Sequence, residues 1–154
     1  MTIDKSLEHK KEIFGMIFLL AQRWQNLGDQ ELASIGVTTK QWMLLLTLHV
    51  FFTEPPTLNQ LALAMGSSRQ NVKQLASNLQ KSGFLEILQD ASDKRILRFR
   101  LTRKNAEVWE SRTAQDEAYI SSLFGDASAQ AINTTRDTIE KLVAISAEKL
   151  GGKS

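Results

Sequence analysis

Large apolar residues recur at three- and four-residue spacing near the start of the chain, as Leu7, Phe14, Ile17, Phe18, Ala21, Trp24 and Leu27. That period puts one apolar stripe on a long helix, predicted from about residue 5 to about residue 30. Ile13, Met16 and Leu20 widen the stripe beyond a single face, so this helix is expected to contact more than its own fold. A second helix opens at Thr38-Thr-Lys-Gln41, a capping-box pattern in which the threonine oxygen accepts an amide hydrogen and the glutamine reaches back. It carries Trp42, Leu45, Leu46 and Leu48, and ends before Pro55-Pro56, which cannot continue it. The same punctuation recurs at Thr57-Leu-Asn-Gln60 and at Ser67-Ser-Arg-Gln70. Each opens a short helix. The first turns Leu58, Leu61, Ala62 and Met65 inward, and the second, over 67–82, turns Val72, Leu75, Ala76 and Leu79 inward. With Gly66 in the tight turn between them, the pair is a helix-turn-helix.

Gly83 stops this second helix, and the period then changes to two. Leu97, Phe99 and Leu101 alternate with Ile96, Arg98 and Arg100, and Leu85–Gln89 is the predicted antiparallel partner across the polar turn Asp90-Ala-Ser-Asp93. This hairpin is a wing. Thr102 caps a predicted helix from about Arg103 to Phe124, and Asp126 another from about Ala127 to Leu150. Their apolar residues, among them Trp109, Ile120, Leu123, Ile139, Leu142 and Val143, exceed what a domain of this size can hide, so a second copy of the chain is expected to cover them. The predicted fold is mainly α with a small β-hairpin wing, an α+β winged helix-turn-helix forming one folding unit. Within it, 36–102 is the DNA-binding region, and 1–35 with 103–154 the helical dimerisation region.

Composition removes several function classes. The chain has no cysteine and two histidines, His9 and His49, so disulfides, thiol chemistry and Cys-rich metal sites are excluded, and no cofactor or metal is expected. The runs Ile13–Ala21 and Trp42–Phe52 fall short of the ~20 residues a membrane span needs. Met1–Glu12 is mixed in charge and unlike a signal peptide, so a cytoplasmic protein is expected. No phosphate-binding glycine loop, GxSxG, HExxH or His-paired nucleophile is present, and an enzyme is not expected.

Charge adds a location. Between Gly66 and Lys104 stand nine basic residues against the acids Glu86, Asp90 and Asp93, which is +6 in a chain of net charge +2 and leaves −4 elsewhere. A basic segment in an acidic body suits a polyanion, because phosphate neutralisation supplies most non-specific affinity. Projected at about 100° per residue, helix 67–82 turns Gln70, Gln74, Ser77 and Lys81 outward, with Asn71 and Lys73 beside them. Amides suit adenine in the major groove, and Arg or Lys suit guanine or phosphate. Gln70 has a competing role in closing its capping box. At the wing tip, Lys94 and Arg95 reach beyond the body, and Arg95 is the candidate for a narrow minor groove. Asp93 either orients that guanidinium or is an ordinary turn residue. Arg98 and Arg100 on the outer strand face are assigned with Asp93 to support of the wing, where they either meet phosphates or discourage edge pairing.

These residues together resemble the MarR family of winged-helix transcriptional regulators. The wing sequence Asp93-Lys-Arg95 followed after five residues by Leu101-Thr102 matches that family's pattern, as do Leu61-Ala62, Ser67-Ser68-Arg69 and Leu79-Gln-Lys-Ser-Gly83-Phe-Leu85. The resemblance implies a homodimer on double-stranded DNA, each recognition helix in a major groove and the half-sites about 34 Å apart. It further implies a repressor of a pseudo-palindromic operator, released by a small aromatic ligand, for which Phe14, Phe18, Trp24 and Trp42 are the pocket candidates. Without cysteine the chain is not a thiol-oxidation sensor, and its two separated histidines fit the zinc-sensing branch poorly. The alternative is a winged helix used for protein association without specific DNA binding.

Overall fold

The computed structural model describes residues 5–151. Residues 1–4 and 152–154, the outer ends of the regions assigned to dimerisation, lie outside the described residues. Helix α1 (Lys5–Leu32) runs through a short 3-10 turn into α2 (Thr39–Phe51), and α3 (Leu58–Met65) and α4 (Arg69–Lys81) form the helix-turn-helix. Strands β1 (Leu85–Gln89) and β2 (Leu97–Leu101) make the wing, followed by α5 (Arg103–Leu123) and α6 (Ala129–Gly151). The expected mainly helical fold with one hairpin wing is the fold observed.

Two of the three capping boxes form as predicted. The Thr38 amide donates to Gln41 Oε1 at 2.9 Å and the Gln41 amide to Thr38 Oγ1 at 3.2 Å. Thr57 and Gln60 repeat the exchange at 2.8 and 3.3 Å. The third box does not form. Gly66 takes a left-handed φ of 59° that closes α3, and the Ser67 amide is spent on Ala62 O at 3.0 Å. A box needs that amide for the glutamine, so the cap moves to Ser68, whose Oγ accepts from the Asn71 amide at 3.1 Å. The helix therefore begins at Arg69 rather than 67, and Gln70 has no capping duty. The expected cap Asp126 is likewise replaced by Ser128, whose Oγ accepts from the Ala131 amide at 3.2 Å.

The core lies where α2, α3 and α4 meet the hairpin, with Phe84, Phe99, Leu44, Leu61, Leu79, Leu85 and Val72 fully buried. β1 and β2 pair antiparallel from Leu85↔Leu101 to Gln89↔Leu97. This register puts Leu97, Phe99 and Leu101 on one face with Phe99 at its buried centre. The Phe99 amide also donates to Pro56 O at 3.1 Å, tying the wing to the segment before α3.

The C-terminal end of α1 is held firmly to the rest. Gly28 packs so close to Thr39 that a Cβ there would collide with Thr39 Oγ1. Arg112 of α5, only 7% exposed, meets Glu31 Oε1 at 3.1 Å and Asp116 Oδ1 at 3.0 Å. Elsewhere α1 and α6 bury little: Ile13, Phe14, Met16, Phe18 and Leu19 on α1, and Ile139, Val143 and Ile145 on α6, are exposed. Among the described residues no helix is long and apolar enough to cross a membrane.

Candidate nucleic-acid interface

The cap at Ser68 sets which side chains α4 presents. Arg69, Gln70, Asn71, Lys73, Gln74 and Lys81 are exposed, and Ser77 is half-buried, while Val72, Ala76 and Leu79 hold the helix to the core. The amides are not equally free. Asn71 Nδ2 donates to Ser67 Oγ at 2.8 Å, so that side chain braces the turn between the helices. Gln74 Nε2 donates to Asn78 Oδ1 at 3.3 Å, which leaves the Gln74 carbonyl oxygen and one N–H free to pair with a base edge. Asn78 is a member of this face that the helical projection passed over. Gln70 makes neither a cap nor a side-chain bond among the described residues, and of the amides it is the least committed.

In the wing, nearly every charge of the strands is paired. Asp90 Oδ2 accepts from the Ser92 hydroxyl at 2.8 Å and from the amides of Ser92 and Asp93, while Oδ1 accepts from Arg98 Nε at 2.7 Å. The Ser92 hydroxyl first, then Arg98 and the two amides, hold the Asp90 carboxyl far below the usual carboxylate range. Arg98 Nη1 also reaches Pro55 O at 3.1 Å. Arg98 is thus a bolt between the wing and the segment before α3, with Nε and Nη1 committed inside the fold. Arg100 pairs with Glu86 directly across the hairpin at 2.6 Å, the arrangement that stabilises opposed strands.

The two readings of Asp93 merge. Its Oδ1 accepts the Arg95 amide at 3.0 Å, as a turn residue does, and also Arg95 Nε at 3.1 Å. The Arg95 guanidinium first, then its amide, pull the Asp93 carboxyl below its ordinary range. Arg95 Nη2 donates to Asp93 Oδ2 at 3.3 Å as well, but the side chain remains 92% exposed and its Nη1 has no partner among the described residues. Arg103 pairs with Glu107, and Lys104 donates to Ser82 O at 2.7 Å while lying 5.1 Å over the Phe84 ring. Of the nine basic residues in this segment, Arg69, Lys73, Lys81 and Lys94 have no such partner among the described residues, and all three acids are taken by arginines. The cations without a polar partner among the described residues lie on α4 and the wing tip.

A second feature lies behind the reading face. Between α2, the end of β2 and the start of α5 is a cavity of ≈ 550 Å³, lined by Trp42, Leu45, His49, Asn105, Ala106 and Trp109 among others. Of the four aromatic candidates, only Trp42 lines it. Phe14 and Phe18 stack edge to face on each other at 5.0 Å and are 67% and 64% exposed, and Trp24 packs on Phe124 at 5.4 Å. Helical spacing placed those three correctly on α1 but could not say which residues of other elements stand opposite.

Residues 35–96 match the model of the MarR family. The chain is 28% identical to the transcriptional activatory protein BadR of Rhodopseudomonas palustris over 92% of its own length and 81% of that protein's. It is 33% identical to the Escherichia coli transcriptional repressor MprA over 51% of this chain and 45% of that one. Over residues 35–96 the chain is similar to the MarR family of winged-helix regulators. Solved structures agree on the fold. A MarR protein from Peptoclostridium difficile superposes with a TM-score of 0.80 at 17% identity, covering 92% of both chains. A DNA complex of Staphylococcus aureus MepR gives 0.71 at 20% identity over 84% of this chain and 94% of that one. An organohalide-sensing regulator in its 2,4-dichlorophenol-bound form gives 0.76 at 16% identity over 96% and 88%. The family match ends at the wing, so the long α5 and α6 rest on whole-chain likeness alone.

Proposed function

We propose that the chain acts as a homodimer that presents two copies of residues 57–102 to a pseudo-palindromic operator and represses transcription there. The observation that carries this reading is the segregation of charge. Four cations without internal partners lie on the helix and wing tip that a duplex would meet, and every acid of the segment is consumed inside the wing. Gln70 and Gln74 supply base-edge donors and acceptors, Arg69, Lys73 and Lys94 neutralise phosphates, and Arg95 enters the minor groove beside. Ser67 and Ser68 set the helix start, Ser77 and Asn71 support the face, and Asp93, Arg98 and Arg100 hold the wing. The exposed apolar faces of α1 and α6 favour dimerisation through residues 1–35 and 103–154. Among relatives one is named an activator and one a repressor; repression is proposed because occupancy of a promoter by a dimer is sufficient for it.

The cavity favours regulation by a small aromatic ligand, the class to which the 2,4-dichlorophenol of the organohalide-sensing neighbour belongs. Its volume lies within the range of roughly 300–1,000 Å³ common to ligand sites, and two indoles face it with the polar groups of His49 and Asn105. It sits between α2 and α5, so an occupant touches both regions of the chain. Binding to random-sequence duplex at 50 and 200 mM salt tests the DNA reading. Four or more neutralised phosphates predict a loss of about a hundredfold or more, whereas a protein-association module would be insensitive.

A further inference from the structure

Three cations converge on one recess that the proposed function does not use as a unit. Arg69 and Lys73 on α4 and Arg95 at the wing tip line an open pocket of ≈ 310 Å³, together with Thr57 and Asn59 at the start of α3. The walls between these polar groups are Leu58, Ile96 and Leu97. Neither Arg69 nor Lys73 has an ion-pair partner among the described residues. No carboxylate lines the recess among the described residues, and Asp93, two residues before Arg95, is already engaged by it.

Without an anion the arrangement is locally unfavourable. Arg69 and Lys73 are one turn apart on one helix, a like-charge spacing that destabilises. Both stand in the first turns of α4, where the helix dipole is positive, and that helix has no acidic residue in its first turn. Each of these terms reverses when an anion fills the recess. The guanidinium fork of Arg69, the Lys73 ammonium and the Arg95 N–H groups not taken by Asp93 line one recess and suit a tetrahedral oxyanion better than a halide.

Position identifies the source. A helix in the major groove and a wing tip in the adjacent minor groove straddle one sugar-phosphate strand, and the recess lies between those two elements. We infer that this recess seats a single DNA phosphodiester per half-site, gripped jointly by Arg69 and Lys73 and closed on its wing side by the Arg95 side chain as it passes into the minor groove, with Thr57 and Asn59 as polar groups at its rim and the apolar walls facing the sugars. The inference rests on the DNA-binding reading and adds to it a fixed register. One phosphate held from both elements sets how far α4 enters its groove, which separate contacts along the helix and wing would not do.

The test uses the full chain and a duplex carrying its selected binding sequence, in a series with one uncharged methylphosphonate linkage placed symmetrically in both half-sites. Wild type, Arg69→Gln and Lys73→Gln are compared. On the unmodified duplex each variant is expected to lose about tenfold or more, the scale of a charge-assisted hydrogen bond. At one linkage position the wild type loses a similar factor, and both variants there lose less than about twofold further. The salt exponent falls by about 0.9 for each phosphate neutralised. Both variants keep or exceed the wild-type melting temperature, since like charges have been removed. Losses that persist at every neutral linkage, or that vanish at different linkages for the two variants, overturn the shared seat while leaving DNA binding intact. A wild type that binds no duplex at all overturns the DNA-binding reading itself, and the seat with it.

Discussion

At Gln74 the side-chain amide is held by Asn78 with one N–H and the carbonyl left over, so it is oriented before any base arrives. Gln74→Ala is expected to cost ~1–3 kcal/mol on the preferred duplex and to relax preference at one base pair per half-site. Competition with singly substituted duplexes measures it; a uniform loss across all of them would contradict base reading by Gln74. Arg95→Ala should instead weaken binding without changing base preference in the helix footprint. Asp90 makes a different kind of prediction. Its carboxyl is depressed in the folded state, so the stability it contributes is complete above the ordinary aspartate value of about 3.9 and is lost as pH falls through its lower folded value. Protection from amide exchange, relative to the intrinsic rate at each pH, should therefore stay high in residues 85–101 at pH 5 and fall only at strongly acidic pH, and Asp90→Ala should show low protection at pH 7. Equal protection in the variant would remove Asp90 as the anchor. Arg95 and Asp93 were legible in the chain because they are two residues apart and share a turn. Arg98 was assigned to the wing, but its partners were hidden, because they are eight residues away at Asp90 and across the fold at Pro55.

Elements were legible wherever local chemistry decides them. Period, caps and Gly66 place α2, α3 and α4 to within two residues, and alternation fixes the hairpin register around Phe99. The start of α4 was misplaced because a tertiary-scale fact intervened: closing α3 consumed the Ser67 amide that a capping box at that position requires. The α1–α2 corner was not legible at all, since nothing local marks Gly28 as a contact. Alanine normally stabilises a helix interior by about 1 kcal/mol over glycine, yet here its Cβ meets the Thr39 hydroxyl, whose hydrogen bond to Gln25 O at 3.0 Å holds it in place. Gly28→Ala is expected to lower the melting temperature, and Gly28→Ala with Thr39→Ala to recover some of the loss. A rise in the single variant would show the corner to be slack. The cavity also belongs to this scale, because it exists only between α2 and α5. Ala106→Phe should fill it and give a protein that binds DNA normally but no longer shows phenol-induced quenching of tryptophan fluorescence or release from duplex. Retained quenching would place any ligand elsewhere.

For the whole molecule, the apolar surplus of the terminal helices was evident in the sequence, and the structure shows which surface a single chain leaves uncovered. Phe14 and Phe18 stand more than half exposed and stack on each other. Phe14→Glu with Phe18→Glu is expected to shift sedimentation from dimer to monomer and to reduce operator affinity far more than affinity for random duplex, since only the dimer can engage two half-sites. The central claim is that two copies of residues 57–102 read DNA at a spacing fixed by those helices. Selection of bound sequences from random duplexes at near-physiological salt tests it most directly. The expected result is an inverted repeat with half-sites one helical turn, about 34 Å, apart; enrichment of no sequence, or of a lone half-site without its mirror image, would contradict it.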